Sequence, residues 1–488
     1  MDRDREGHRR RRQLQRARRH ARAGRRGAAR LLRPRRPRHL RARLRPARRR
    51  GRLRSLRHPA RPRGSGEARR RRRRRRRGLT DRQPRPGSAA PVGFGTCVCR
   101  SRPELPNAPV PAPRTTTNNK EKDVRFQVLD IVFNPPHPVT GEAVAPSDRL
   151  NRVVETAVLA EELGFDSFAV GERHAGEVLS SAPTVILGAV AARTSRILLS
   201  TGVTVLSLLD PIRVAEDLAT VDQLSRGRLE IVIGKGNEVL QYPLLGLDID
   251  KQYEYLQENY ELLRLLLSEE DVSWSGRHRH ALEHATTLPR PFAGPFRIWH
   301  GSATSRFAVD LAARYGDPIV SANALQPREN YQVLIDRYRE QYAAHGHDPA
   351  YGFVGSGSGG LFLADTTEEA IEQYRPIYEG QVAAAARRGY GPDAVGKAPS
   401  FRTVEDAVER GPALVGSPER VAEKILDYHA SYRHDLQSVS VNHLIPAAQQ
   451  EDVLRRFAEE VVPVVQAEVK TDLWSPADTR RAAGFTAA

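Results

Sequence analysis

The chain has 488 residues, 39% hydrophobic and 28% charged, and carries a formal net charge of +21; its length suits two domains or one large barrel with appendages. The charge is uneven: residues 1–90 hold 39 arginines against five acids, so the remainder is net acidic, near −13. The basic average therefore does not mark the folded part as a nucleic-acid binder, and no apolar run reaches the roughly 18 to 20 residues of a membrane span.

Residues 1–122 come first. An arginine run at 71–77 sits among Gly, Pro and Ala, with almost no aromatic or β-branched residue before about 90. Such a segment cannot bury a core. The expectation is a disordered Arg/Pro-rich extension or the product of a mis-assigned start, since Met1 is the only methionine. A basic arm for nucleic acid or anionic lipid is the functional alternative, but nucleic acid is not the expected partner. No apolar stretch follows the arginine pairs as a secretory signal requires, so a cytoplasmic location is expected. Cys97 and Cys99 both precede the folded part, which leaves it neither a disulfide framework nor a thiol nucleophile.

From residue 123 strands alternate with helices. Apolar strand-like runs occur at 126–133, 167–170, 197–205, 229–233, 296–300 and 318–321, in a stretch ending at 360–364, and at 437–444. Helical segments separate them: 183–194, 211–224, 253–267, 302–315, 327–344, one opened by Ser417-Pro418, and a last one from about Ala447. Eight such repeats predict an α/β fold, a (β/α)8 TIM barrel over 123–466, followed by a tail at 467–488. Its active site belongs at the C-terminal strand ends.

Three strand ends carry candidate chemistry. After the second strand, Glu172, Arg173 and His174 offer an acid, a cation and a group that titrates near neutrality; the plainer reading is a rim pair of Glu172 with Arg173. After the fourth strand, Gly234-Lys235-Gly236 places a cation between glycines, suited to phosphate, or is simply a solvated loop. After the fifth, Gly301-Ser302 begins a helix whose start, with Thr304 and Ser305, forms an anion site, unless Ser302 is only a cap.

Two further patterns lead elsewhere. His278, His280 and His284 lie close together, but Arg277 and Arg279 beside them would repel a metal cation, so no metal site is expected. Gly355, Gly357 and Gly360 satisfy a bare dinucleotide-binding spacing, yet strand-like Leu361-Phe362-Leu363 follows where a helix is required.

Taken in order, Glu172-x-His174, Thr201-Gly202-Val203-Thr204, Asp210-Pro211-Ile212-Arg213, Asp222-Gln223-Leu224-Ser225-Arg226-Gly227-Arg228 and Gly301-Ser302 resemble the bacterial luciferase-like flavin monooxygenases over about 340 residues. The resemblance implies a barrel that binds reduced FMN, fed by a separate NAD(P)H:flavin reductase, and uses O2 on a small organic substrate; a homo-oligomer is compatible with it. It assigns Lys235, Ser302 and Ser305 to the cofactor phosphate and Gly202-Val203 to a cis peptide beneath the flavin ring; Thr204, Gly236, Gly301 and Thr304, on the same strand ends, complete the candidate cofactor-binding set. His174 corresponds to the second His of the luciferases' Glu-His-His, with Arg173 replacing the first, which puts aldehyde chemistry and light emission in doubt. Within this resemblance Arg173 supplies charge stabilisation and His174 moves a proton. The alternatives are an F420-dependent dehydrogenase on the same barrel and a flavin-binding protein without turnover. The polar segment from Trp274 to Pro291 is a candidate lid.

Overall fold

The computed structural model describes residues 123–322, 326–387 and 401–471. The N-terminal extension, its two cysteines and the tail beyond Thr471 lie outside them. Among the described residues, eight parallel strands line the barrel: β1 Arg125–Asp130, β2 Ser167–Val170, β3 Leu198–Thr201, β4 Leu229–Gly234, β5 Ile298–Ser302, β6 Ile319–Ser321, β7 Val354–Ser356 and β8 Leu436–Ser440. The order runs β3-β2-β1-β8-β7-β6-β5-β4, and β4 pairs back onto β3 through Leu199 with Leu229 and Ser200 with Glu230, closing the ring. Thr204–Val205 continues the third strand and pairs with Ile233–Gly234.

Helices α1 Pro146–Glu162, α2 Pro183–Arg193, α3 Pro211–Ser225, α4 Gln252–Ser268, α5 Arg306–Tyr315 and α6 Arg328–Ala344 follow the first six strands. Local chemistry sets their ends. Asp210 caps α3 by accepting from Ile212 N–H at 2.9 Å, Pro211 occupies the first turn, and the helix closes on Arg226 in the left-handed region. Phe126, Val128, Phe168, Val170, Leu199, Ile231 and Ile233 face the helix layer as one core, so the alternate residues face the barrel axis. On that inner side Val232, Trp299, Phe353 and Leu436 cluster. Glu230 closes the floor by accepting from Trp299 Nε1 at 2.9 Å, with Arg125 and Arg297 each 3.6 Å away.

Four expectations change. The stretch ending at 360–364 divides: Val354–Ser356 is the barrel strand, whereas Leu361–Leu363 pairs with Leu414–Gly416 as a separate two-stranded sheet. The helix expected from Ser302 starts at Arg306, because β5 stays extended through Ser302. Segment 274–291 contributes one arm of an antiparallel hairpin, Val272–Trp274 with Leu282–Ala285, that runs along α4. Glu258 of α4 accepts from the N–H groups of Arg277, His278 and Arg279, and Arg279 reaches Asp210, the cap of α3, at 2.8 Å, so this segment is tied to the starts of two barrel helices. Finally, the packed chain continues past 466: a helix ends at Glu468, and Lys470 bonds Asp123 at 2.6 Å.

Among the described residues no helix is long and apolar enough to cross a membrane, and no group of three His, Cys, Asp or Glu side chains is placed to hold a metal ion.

Candidate active site

The loop after β2 reaches the neighbouring strand end through one carboxylate. Glu172 is 8% exposed. One of its oxygens lies 2.7 Å from His174 Nε2, and the other accepts from Val205 N–H at 3.0 Å. The acid therefore orients the imidazole and pins the strand segment after Gly202-Val203, whose peptide bond is cis. Its two oxygens are occupied by His174 and Val205, an arrangement that the plainer Glu172–Arg173 pair did not anticipate. Arg173 turns to the loop after β4, donating to Asn237 Oδ1 at 2.6 Å, and its guanidinium lies 5.4 Å from the Phe133 ring centre.

Val203 is seated by glycines. A Cβ on Gly301 would lie 2.8 Å from Val203 Cγ1, and one on Gly234 would lie 3.1 Å from Val203 Cγ2. On the other side, a Cβ on Gly202 would lie 2.6 Å from Leu129 Cδ1. Strand ends β3, β4 and β5 thus converge on one residue only because two of them lack side chains there. Thr204 is buried and donates to Thr201 Oγ1 at 3.0 Å, while Thr201 Oγ1 accepts from Val232 N–H at 3.1 Å. Gly236 has φ +72°, and a Cβ there would collide with the Gln241 side-chain amide.

Lys235 and the start of α5 are joined through aromatic rings. Lys235 Nζ lies 5.7 Å from the Tyr253 ring centre and donates to the Gly236 carbonyl at 3.1 Å; Tyr253 packs on Phe307, in the first turn of α5, at 5.0 Å. The Lys235 carbonyl accepts from Ser207 at 3.0 Å and from Tyr242 at 2.7 Å. Burial pushes the Tyr242 phenol above its ordinary value, so it stays a donor at neutral pH.

At α5 the two serines divide their tasks. Ser302 accepts from Ser305 N–H at 3.1 Å and donates to the Ser305 carbonyl at 3.0 Å, so it shapes the turn. Ser305 is the cap, accepting from Ala308 N–H at 3.2 Å. Its own hydroxyl proton, the exposed Thr304 and the N–H groups of Arg306 and Phe307, which precede the first helical acceptors, remain suited to an anion.

The structure thus links the β2 loop to the β4 loop through Arg173 and Asn237, Lys235 to α5 through Tyr253 and Phe307, and Val203 to Gly234 and Gly301. Sequence reasoning missed Asn237, Gln241, Ser207, Tyr242 and Tyr253. Apart from the proximity of Asn237 to Gly236, no spacing signal marks them. Conversely, the run from Asp222 to Arg228, the most family-specific in sequence, is scaffold. Asp222 accepts from Phe292 N–H at 2.8 Å, Gln223 donates to the Arg290 carbonyl at 2.9 Å, and Arg228 laces the carbonyls of Ala191, Thr194, Ile197 and Ser225. These contacts join the end of α3 to the start of β4, at the N-terminal end of the barrel strands and away from the mouth.

Residues 124–435 match the luciferase-like monooxygenase family profile. The chain is 30% identical over 354 residues to an F420-dependent glucose-6-phosphate dehydrogenase of Beutenbergia cavernae, spanning 68% of this chain and 97% of that protein. It is 27% identical over 272 residues to an FMNH2-dependent dimethylsulfone monooxygenase of Pseudomonas fluorescens, spanning 52% and 70%. Among solved structures, the monooxygenase RslO1 of Streptomyces bottropensis superimposes with a TM-score of 0.60 at 28% identity, covering 70% of this chain and 99% of that one. With the barrel and its mouth assembled from the residues that carried the resemblance, the chain belongs to the luciferase-like monooxygenase family of oxidoreductases.

Proposed function

We propose that the protein is a flavin-dependent monooxygenase that uses reduced FMN and O2 to oxidise a small organic substrate, with the FMN reduced by a separate NAD(P)H:flavin reductase. The observation that carries this reading is the double contact of Glu172, which holds His174 and the segment after the cis Gly202-Val203 bond in a single arrangement. The residues fit FMN: Lys235, Ser305, Thr304 and the α5 start would hold the phosphate, and Val203, locked between glycines, would underlie the ring. When bound, reduced FMN supplies two electrons to O2, so that one oxygen atom enters the substrate and the other leaves as water. The chain's own part is positioning and proton control. His174 donates or accepts the proton at Nε2, Glu172 sets its orientation, and Arg173 adds positive charge at the rim.

A second reading, an F420-dependent dehydrogenase transferring hydride at the same mouth, is favoured by the 30% identity spanning nearly all of the Beutenbergia protein. Titrating the full chain with FMN, reduced FMN and F420, followed by O2 uptake in the presence of a flavin reductase, separates the two. Preferential reduced-FMN binding with reductase-dependent O2 uptake is expected. Tight F420 binding without O2 uptake overturns the monooxygenase reading, and flavin binding without any turnover leaves a binding protein.

A further inference from the structure

Across the barrel from Lys235, the inner face of β8 carries polar groups that have no bonding partner among the described residues. Strand alternation decides which side chains face the axis. Leu436 belongs to the inner cluster with Val232 and Trp299, whereas Val439 packs in the helix-facing core and Val441 against it, the Val441 N–H still bonded to the Leu129 carbonyl of β1. The inward series is therefore Leu436, Ser438, Ser440 and, just past the strand end, Asn442. Gln127 on β1 stands in register with Ser438 on one side and Ser167 on the other, making a polar layer across three strands.

Ser438, Ser167 and Asn442 are 3%, 5% and 8% exposed. Among the described residues, Ser438 Oγ, Ser167 Oγ and Asn442 Nδ2 have no hydrogen-bond partner. The Asn442 amide is oriented by its other end, because Oδ1 accepts from Leu444 N–H at 3.1 Å, leaving the NH2 as the unmatched group. Buried donors of this kind are rare because each keeps its desolvation cost until something bonds to it. The next residue, His443, stacks on Phe133 at 5.5 Å and 27°, and the Arg173 guanidinium lies 5.4 Å from the same ring centre. This ties the end of β8 to the β2 loop that carries His174. Leu129, paired in register with Ser440, is also the side chain that abuts Gly202.

We propose that the inward edge of β8, Asn442 with Ser438, is the substrate-recognition wall of the barrel, and that it takes an organic substrate bearing a carbonyl or hydroxyl oxygen, which accepts a hydrogen bond from Asn442 Nδ2. The inference rests on the monooxygenase reading and narrows its substrate to oxygenated molecules. A bare hydrocarbon would leave the buried amide unpaired, and sites built around such a donor discriminate strongly against analogues that cannot bond to it.

The test uses the full chain and isosteric probe pairs: cyclohexanone with methylenecyclohexane, and acetophenone with α-methylstyrene. Binding of each is measured by ligand-observed NMR, with and without reduced FMN under anaerobic conditions, while flavin affinity is titrated separately. At least about a tenfold preference for the ketones is expected. Asn442→Leu, similar in size but without the donor, should abolish that preference and leave flavin affinity unchanged. Ser438→Ala, a milder change, should reduce the preference a few-fold and serves if Asn442→Leu fails to fold. Equal binding within each pair, a preference that survives in the folded variants, or no ketone binding overturns the proposal. Flavin binding with no ketone preference defeats the wall alone; a ketone preference without flavin binding defeats the monooxygenase reading and leaves the wall standing.

Discussion

The two sides of the barrel mouth are built on opposite plans. Around β3, β4 and β5 the polar groups are largely spoken for: Glu172 by His174 and Val205, Ser302 by Ser305, the Lys235 carbonyl by Ser207 and Tyr242. Around β8, Ser438 Oγ and Asn442 Nδ2, with Ser167 Oγ at the start of β2, are left unmatched among the described residues. The first side is pre-organised, as a site for a constant cofactor should be, since groups already held in place cost no reordering on binding. The second is left to be completed by whatever enters.

The sharpest way to break this contrast is at His174. If the pre-organised side performs the proton chemistry, His174→Ala should retain reduced-FMN binding, lose about 10² to 10⁴ in product formation, and release more hydrogen peroxide. Stopped-flow reoxidation coupled to a peroxide assay would show it. Normal product formation with unchanged peroxide would make His174 a rim residue.

Lys235→Ala should weaken FMN by roughly 1.5 to 3 kcal/mol, about ten- to a hundredfold, and riboflavin very little. Fluorescence titration of both ligands decides it: equal loss for both would move the phosphate elsewhere.

Glu172 offers a stability counterpart. Glu172→Ala strips Val205 N–H of its buried acceptor and should cost about 1 to 3 kcal/mol in chemical denaturation, whereas Glu172→Gln keeps an acceptor and should lose less. Identical losses would mean that the contact to Val205 carries no weight.

The smallest effect concerns pH on the β8 side. Burial first, then the charge of Arg149, lowers His443 from its ordinary 6.5 to about 4, and burial lowers His434, just before β8, to about 3. Both folded values lie below the unfolded one, so the unfolded chain binds protons that the native state refuses. The stability they contribute is present above pH 6.5 and is lost as pH falls toward 4. Between pH 6.5 and 5.5 each should contribute at most about 1.4 kcal/mol of decline. Urea unfolding across that interval should show a shallower slope in His443→Gln, and an unchanged slope would mean that His443 titrates normally.

Much of the architecture was legible because it is local. Short apolar runs and capping pairs such as Asp210-Pro211 and Ser417-Pro418 depend on near neighbours, and the helices that these pairs open are present. The failures were non-local. Leu361-Phe362-Leu363 is as apolar as a barrel strand should be, but its partner is Leu414–Gly416, some fifty residues onward. Ser302 and Ser305 are equally good caps in sequence, and the extension of β5 through Ser302 assigned the role to Ser305.

The site divides in the same way. Residue types and order alone pointed to Glu172, Arg173, His174, Lys235, Gly301 and Ser302 as candidates, because strand ends of an α/β barrel must converge and these ends carry charge, glycine or hydroxyls, whereas Gly202 and Val203 came only from the family resemblance. Only the tertiary structure decided that Glu172 serves two partners, that the Asp222–Arg228 run is scaffold, and that Asn442 Nδ2 and Ser438 Oγ are buried with no partner among the described residues. The physical reason is that a hydrogen-bonding group's role depends on what remains free after packing, and that balance is struck between residues far apart in the chain.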